Sequence, residues 1–560
     1  MDITMQRIFL TGLPGSGKSS VGRSMAALLG WNFIDTDDLL AEKSGMPVGQ
    51  VLTELGEERF RQLESELLRT AAESEKVVIA TGGGAVISTA NREFMRERGL
   101  TVYLQVSVET AWQRIQHHLE QSGASVARPL VVGNDGLQRL HKMYETRKGW
   151  YEEAPAHIDT EQHTPEMLAQ RLVAYALTSG LLASPGAPRE VITQQLLTST
   201  SQGVVEWGGL RHLPATLRSY ELPKRLFIVT DSVVGALYAR PLQDALEENG
   251  FQPHIFTIAA GEASKSFACF QQIIDWLVEQ KAEQKEAIIA LGGGVVGDLA
   301  GFVASCYQRG VPLIQAPTTL LAQVDAAIGG KTGINHALGK NLIGAFYQAK
   351  LIYADPAFLL TLPERVYREG WAEIIKYAMI LDAELFTILE EQVSALLARD
   401  AGLLSAIIAR CMRMKMDIAQ RDERDGGLRN ILNYGHTFGH ALETITEYGT
   451  WLHGEAVAIG MEVAARIAVA SGLLSQEDAK RQRNLLQAFG LPVQCAGVDI
   501  DAGMQAMLRD KKVRAGNTRW VLVTGIGHAD VFSNIDTSSA REAITAVCNP
   551  GLVSGQGASQ

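Results

Sequence analysis

The chain has 560 residues, of which 46 % are hydrophobic and 20 % charged, and carries a formal net charge of −11. That length suggests two to four domains rather than a single core, and the composition is that of a soluble globular protein. The acidic balance argues against a general nucleic-acid binder and gives no reason to expect an anionic membrane as partner, so any anion binding must come from local basic clusters.

Arg7-Ile8-Phe9-Leu10 reads as a short buried strand running into Gly12-Leu13-Pro14-Gly15-Ser16-Gly17-Lys18-Ser19, the full GxxxxGK[ST] pattern, with a helix predicted from Ser20 to Leu29. The glycines let successive backbone N–H groups turn inward around phosphate oxygens, and the helix start adds its positive end. Lys18 can reach the outer phosphates and the Ser19 hydroxyl can ligate Mg2+, while Gly15, Ser16, Gly17 and Ser20 complete the expected ATP contacts. Phe33 to Asp37 reads as a second strand ending in two carboxylates, Asp35 and Asp37, suited to Mg2+ and a hydroxyl group. A charged helix is predicted from Gly56 to Glu64, and the strand Val77–Ala80 leads into Gly82-Gly83-Gly84. Arg128-Pro129-Leu130 lies in a polar stretch predicted to be a mobile lid, and Arg147 falls near the last helix of this region.

With its P-loop, DTD, FRxxE at Phe60–Glu64, GGG, RPL and Arg147 before WYEEA, this region resembles shikimate kinase over essentially its whole length, taken as 1–178. The resemblance implies an α/β P-loop kinase domain, a parallel sheet with helices on both faces. It implies that Asp37 takes the substrate hydroxyls and accepts the proton as the 3-hydroxyl attacks. Arg61 and Arg147 would clamp the carboxylate, Gly83 would contact shikimate, Arg128 and Lys18 would cover the phosphates, and Ser19 and Asp35 would hold Mg2+. Bidentate guanidinium–carboxylate pairing and cationic groups around a transferring phosphoryl suit those roles. In the stretch where many shikimate kinases carry an arginine near the adenine, this chain has Asp159-Thr160-Glu161-Gln162-His163.

Residues 179–189, with two prolines and two glycines, read as a linker. Beyond it, Leu226–Asp231 is a buried-type strand ending in an acid, Ile255–Ile258 leads into Gly261-Glu262-Ala263-Ser264-Lys265, and Ala287–Leu291 feeds Gly292-Gly293-Gly294-Val295-Val296-Gly297-Asp298. Strand, glycine turn and helix place backbone amides against an anion, most plainly a dinucleotide pyrophosphate, although such turns often serve packing alone. Pro317-Thr318-Thr319 adds another strand end. After it the chain is predicted to turn helical, with Asp325, Lys331, Lys340 and Asn341 among glycines and Glu373 and Lys376 three apart on one helical face. His436, His440 and His453 raise a metal site against the plainer reading of satisfied core histidines; the spacing of four makes His436 and His440 the natural local pair.

These motifs, from GExxK through LGGGVVGDLAGF, GGKTGIN, GKNLIGAFYQ, AEIIKY, LRNILNYGHTFGHALE and HGEAV to Asp510-Lys511-Lys512, resemble 3-dehydroquinate synthase across nearly all of 190–555. The resemblance implies an α/β NAD-binding part at 190–355 and a mainly helical metal and substrate part at 356–555. It makes Glu373, His436 and His453 the ligands of one divalent metal, Zn2+ first and Co2+ second, and moves His440 to substrate chemistry beside Lys376. NAD+ contacts would come from Asp231, Ala260, Gly261, Glu262, Ala263, Ser264, Lys265, Gly294, Val295, Val296, Gly297, Asp298, Thr318, Thr319, Lys331, Lys340, Phe358, Leu359, Leu360 and Thr361. The heptulosonate phosphate would meet Arg309, Asp325, Lys331, Asn341, Lys376, Lys415, Arg429, Asn433, His440, Lys511 and Lys512. The implied reaction oxidises one hydroxyl, eliminates phosphate, returns the hydride and closes the carbocycle, without net redox change.

The leading expectation is therefore a bifunctional shikimate-pathway enzyme using ATP with Mg2+ in one half and NAD+ with a metal in the other. The alternatives are a related metal-dependent alcohol dehydrogenase in the C-terminal half and a nucleotide-binding regulatory module in the N-terminal half. Small-molecule substrates are expected, without nucleic acid or membrane, and the C-terminal domain admits a homodimer. No uncharged apolar run reaches the roughly 18 residues of a spanning helix, and the start MDITMQRIFLTG lacks a signal peptide's basic end and long apolar core. Five cysteines, far apart and without a CxxC pair, fit a reducing cytoplasm.

Overall fold

The computed structural model describes residues 5–122, 135–161, 163–182, 187–196, 199–337, 339–446, 449–509 and 519–549. Arg128 with its proposed lid, Lys511 and Lys512 lie outside the described residues. The chain divides into two compact units, Met1–Pro185 and Gly186–Gln560, a division that falls inside 179–189. Among the described residues, no helix is long and apolar enough to cross a membrane.

The first unit is built on five parallel strands, β1 (Arg7–Thr11), β2 (Asn32–Asp35), β3 (Val77–Ala80), β4 (Leu100–Gln105) and β5 (Ala156–Asp159), in the order β2-β3-β1-β4-β5. The central strands are continuous apolar runs because both faces are covered by helices, as parallel sheets require; Ile8, Phe9, Leu10, Val77, Val78 and Ile79 are fully buried. Burying each such side chain is worth about 1.5–3 kcal/mol, which lets the strand ends carry polar groups at a net gain. One boundary differs from the expectation: β2 stops at Asp35, and Asp37 lies in the first turn of the helix Thr36–Ser44. The Asp35 carboxylate accepts the Asp37 backbone N–H at 3.0 Å, so it caps the helix that an extended reading carried through.

The second unit has a seven-stranded sheet of β6 (Glu190–Gln195), β7 (Thr200–Val205), β8 (Arg225–Asp231), β9 (Gln252–Ile258), β10 (Ala287–Gly292), β11 (Leu313–Pro317) and β14 (Leu351–Ala354), ordered β6-β7-β14-β11-β10-β8-β9. Only the β6–β7 edge is antiparallel. The region after Pro317 is not wholly helical as expected. Between β11 and β14 stands a separate antiparallel hairpin, β12 (Lys331–His336) and β13 (Gly339–Phe346), which carries Lys331, Lys340 and Asn341. Gly333 and Gly344 face each other there with no room for side chains: a Cβ on Gly344 would fall 2.0 Å from the Thr332 carbonyl oxygen.

From Pro356 onward the chain is mainly helical, with a further hairpin of β15 (Trp520–Gly525) and β16 (His528–Phe532). The helix Glu364–Leu381 is buried on all sides over Glu369–Ile380, a core helix rather than an amphipathic one. The helix His453–Ala470 packs backbone to backbone through glycines on two sides: a Cβ on Gly460 would sit 1.8 Å from the Gly435 carbonyl oxygen at the start of the helix His436–Ile445, and one on Gly454 2.0 Å from that of Glu369 on the helix Glu364–Leu381. The fold also brings together two of the cysteines scattered in sequence: Cys495 and Cys548, both free and buried, have Sγ atoms 2.8 Å apart.

Candidate active sites

In the first unit the P-loop joins the end of β1 to the helix Lys18–Leu29, and Gly12, Gly15 and Gly17 all take positive φ. Gly15 lies against the backbone of Ala111, where a Cβ would meet the carbonyl oxygen at 2.4 Å. Lys18 Nζ spans the loop, donating to the carbonyls of Gly12 and Leu13 at 2.9 Å each. Ser16 Oγ is buried with no hydrogen-bond partner among the described residues, 2.8 Å from where a Cβ on Gly12 would sit. The Ser19 hydroxyl donates to Asp35 Oδ2 at 2.6 Å, which joins the two groups expected at Mg2+.

Across from the loop, the turn Gly82-Gly83-Gly84 after β3 is where the acceptor residues meet. Arg147 Nη1 and the Tyr151 hydroxyl both donate to the Gly83 carbonyl, at 2.8 and 2.7 Å. A Cβ on Gly82 would lie 2.5 Å from Glu64 Oε1 and 2.9 Å from Asp37 Oδ1, and one on Gly84 1.9 Å from Arg61 Nη1. Arg61 donates to Glu64 Oε2 at 2.8 Å. Two carboxylates and two guanidiniums thus surround three glycines whose missing side chains leave the space. Burial raises the Glu64 carboxyl above its ordinary range, against the pull of Arg61.

Glu64 was expected only as part of a helix motif; a carboxylate three residues after an arginine reads as a surface ion pair, and its burial is legible only in the fold. Arg114 was not expected at all. Its guanidinium donates to the Thr160 carbonyl and hydroxyl at 2.5 and 3.1 Å, beside Ala111 and Ile115, which pack on Gly15.

In the second unit, the carboxyl ends of β8, β10 and β11 bring Asp231, Gly292–Gly294 and Thr318–Thr319 together, the position where doubly wound sheets take dinucleotides. The helix Gly294–Cys306 starts there with open backbone amides and no side-chain cap. Asp231 Oδ1 accepts the N–H groups of Val233 and Val234 at 2.9 Å. Thr318 Oγ1 and Thr230 Oγ1 are buried without partners among the described residues. Lys265, buried, pairs with Asp298 and donates to Asn341 Oδ1 at 2.5 Å, while Glu262 Oε1 accepts Asn335 at 2.7 Å; the hairpin therefore leans on the glycine turn at Gly261. Burial raises the Asp298 carboxyl despite Lys265. Phe358, Leu359 and Leu360 are core side chains, and the Thr361 hydroxyl lies 2.5 Å from that of Tyr238 and donates to the Phe358 carbonyl at 3.1 Å.

Deeper in, Glu373 from the helix Glu364–Leu381 meets His436 and His453 from two later helices. Its Oε1 lies 3.4 Å from His436 Nε2 and 3.7 Å from His453 Nε2, and their possible ligand atoms all fall within 4.8 Å of one another. That oxygen is fully buried and makes no hydrogen bond among the described residues, while Oε2 pairs with Lys376. A buried carboxylate oxygen without a donor is costly, and a cation shared with two imidazoles removes the cost. The donor set of one carboxylate and two imidazoles fits a divalent ion with an open position. His440 lies nearby, its ring edge-on to His436 at a centroid distance of 5.3 Å and tilted to His453 at 6.1 Å.

Lys376 and Lys415 flank Asp325, at 3.8 and 2.8 Å, and the Tyr377 hydroxyl donates to the same carboxylate at 2.6 Å. Burial pushes the Lys415 amine down to about 8, against the pull of Asp325. Lys331 pairs with Asp425 at 2.5 Å, and buried Arg429 donates to the Gly329 carbonyl at 3.1 Å, two residues before Lys331. Asn433 ends the short helix Leu428–Asn433, which also carries Arg429. Arg309 is not brought to this group within the chain. It is exposed at the far end of the helix that begins at Gly294, about 20 Å along its axis.

Comparisons with known proteins follow the same division. The family model described as shikimate kinase matches residues 14–176, and those described as 3-dehydroquinate synthase N-terminal and C-terminal match 255–369 and 370–513. A 3-dehydroquinate synthase of Geobacter metallireducens is 46 % identical over 334 residues, 59 % of this chain and 93 % of that protein. Two solved structures share the fold of the second unit. One is a 2-epi-5-epi-valiolone synthase of Streptomyces hygroscopicus subsp. jinggangensis with NAD+ and Zn2+ bound, at 30 % identity and TM-score 0.59 over 63 % of this chain and 98 % of that one. The other is a 2-deoxy-scyllo-inosose synthase complexed with carbaglucose-6-phosphate, NAD+ and Co2+, at 26 % identity and TM-score 0.57 over 63 % and 99 %. With the strand-end glycines, the buried Glu373 and its two imidazoles already in place, the chain belongs to the 3-dehydroquinate synthase family and carries a shikimate kinase domain ahead of it.

Proposed function

We propose that the two units catalyse two reactions of the shikimate pathway: ATP-dependent phosphorylation of the shikimate 3-hydroxyl, and conversion of 3-deoxy-D-arabino-heptulosonate 7-phosphate to 3-dehydroquinate and phosphate. The observation that carries the second activity is the buried Glu373 Oε1, without a hydrogen bond among the described residues and faced by two imidazole nitrogens.

In the kinase, the loop amides, Lys18 and Ser19 hold the nucleotide phosphates and Mg2+. Arg61 and Arg147 hold the shikimate carboxylate. Asp37, beside Gly82 at the end of β3, takes the proton of the attacking hydroxyl. In the synthase, Asp231, Lys265, the Gly294 helix start and Thr318 hold NAD+, and Glu373, His436 and His453 hold the metal. When bound, NAD+ supplies hydride transfer out and back, and the divalent ion, Zn2+ or Co2+, polarises the substrate hydroxyls. Lys331, Arg429 and Lys415 concentrate positive charge for the substrate carboxylate and phosphate, which is how an acidic protein captures an anionic sugar acid. Lys376 and His440 stand where protons on the substrate hydroxyls are exchanged. Cysteines spaced far apart in sequence and without a CxxC pair support a reducing, cytoplasmic setting.

Separate assays of both activities on the intact chain, before and after treatment with a chelator, test the reading. Zn2+ should restore the synthase and have no effect on the kinase, which needs only Mg2+ with its ATP. A synthase indifferent to chelation and to added metal contradicts it.

A further inference from the structure

We propose that Glu443 is the positioning residue of the metal subsite: one of its oxygens fixes the orientation of His453, and the other ties that imidazole to Lys340 on the β12–β13 hairpin. The proposal rests on the reading of Glu373, His436 and His453 as metal ligands and goes one residue past it.

Among the described residues, two side-chain sets could hold an ion here, Glu373–His436–His453 and His440–Glu443–His453, and they share His453. The two ring nitrogens of His453 face different carboxylates: Nε2 lies 3.7 Å from Glu373 Oε1, and Nδ1 lies 3.2 Å from Glu443 Oε2. The carboxylates are in opposite conditions. Glu373 Oε1 makes no hydrogen bond among the described residues, whereas both Glu443 oxygens are engaged, Oε2 by His453 and Oε1 by Lys340 at 3.3 Å. The first is a ligand oxygen waiting for a cation, and the second is already satisfied. A carboxylate can only accept, so the proton stays on Nδ1 of His453 and the Nε2 lone pair points at Glu373 and His436. A partner of this kind also raises the basicity of the ligating nitrogen. His436 is held in the same sense, with its Nδ1 3.0 Å from the Tyr434 carbonyl.

The second oxygen gives Glu443 a longer reach. Lys340 neighbours Asn341, which accepts from Lys265 on the dinucleotide side. One carboxylate therefore joins the hairpin to a metal ligand, while Glu443 itself stays off the ion.

The test is Zn2+ affinity of the full-length protein, measured by competition with a chromophoric chelator, with melting of each metal-free variant as the control for folding. Removing the acceptor, as Glu443→Ala or the similarly sized Glu443→Met, should weaken Zn2+ binding about 10–100-fold. Glu443→Gln, whose carboxamide oxygen can still accept from Nδ1–H, should stay within several-fold of the parent. Lys340→Met, which cuts only the tie to the hairpin, should weaken Zn2+ binding less than Glu443→Met does. Parental affinity in the folded Ala or Met variant, or a Gln variant as weak as Met, overturns the proposal. Glu373→Ala separates the underlying reading: if it keeps parental Zn2+ affinity, the ligand assignment fails, whatever Glu443 does.

Discussion

Gly84 has no side chain because Arg61 occupies the space: a methyl group would begin 1.9 Å from Nη1, and the guanidinium is already held by Glu64. Gly84→Ala should therefore displace Arg61, raising the KM for shikimate at least tenfold while the KM for ATP changes little, as steady-state kinetics with each substrate varied will show. Asp37→Asn removes the proton acceptor but leaves the P-loop intact. It should lower kcat about 10²–10⁴-fold with ATP affinity unchanged by equilibrium titration. At this scale the sequence was legible wherever residue type and spacing define a device, as in the loop from Gly12 to Ser19. It was not legible where burial defines the role. Glu64 and Glu443 look like surface acids on helices, and only packing shows both to be about 95 % buried, at 6 % and 4 % exposure. His436 and His440, the natural pair by spacing, do share a helix, yet the proposed metal group takes Glu373 and His453 from two other helices.

The elements that build the metal group depend on two helices approaching more closely than side chains permit. Gly460 faces the Gly435 carbonyl, and Gly435 in turn takes a positive φ at the start of the His436 helix. Gly460→Ala must push these helices apart, which costs about 1–3 kcal/mol by overpacking and moves His436 away from His453. A lower urea midpoint together with weakened Zn2+ binding is the expected outcome; a stability loss with parental metal affinity would show that the helix spacing does not set the ligand geometry. Strands with continuous apolar runs were readable in advance, including β1 and β3, whose central residues are fully buried. The hairpin at Lys331–Phe346 was not, since glycine, lysine and asparagine interrupt its strand-type Thr332, Ile334, Ile343 and Phe346, and the strands pair here with facing glycines that allow close approach.

The whole molecule joins a kinase unit and a synthase unit whose site residues come from separate stretches of the chain. Their reactions are not consecutive, so neither site needs the other's product at hand. The division into two nucleotide-binding halves could be read from motif order, because each half repeats strand, glycine turn and helix start around its own phosphate site. In the second unit a metal-dependent alcohol dehydrogenase is the competing chemistry. The most direct measurement follows phosphate release and nicotinamide absorbance together while the Zn2+-loaded protein turns over the heptulosonate phosphate with NAD+. Sustained phosphate release with no lasting rise in reduced nicotinamide is expected, and loss of that release in Glu373→Gln. Stoichiometric accumulation of reduced nicotinamide, or phosphate release undiminished in Glu373→Gln, would contradict the synthase reading.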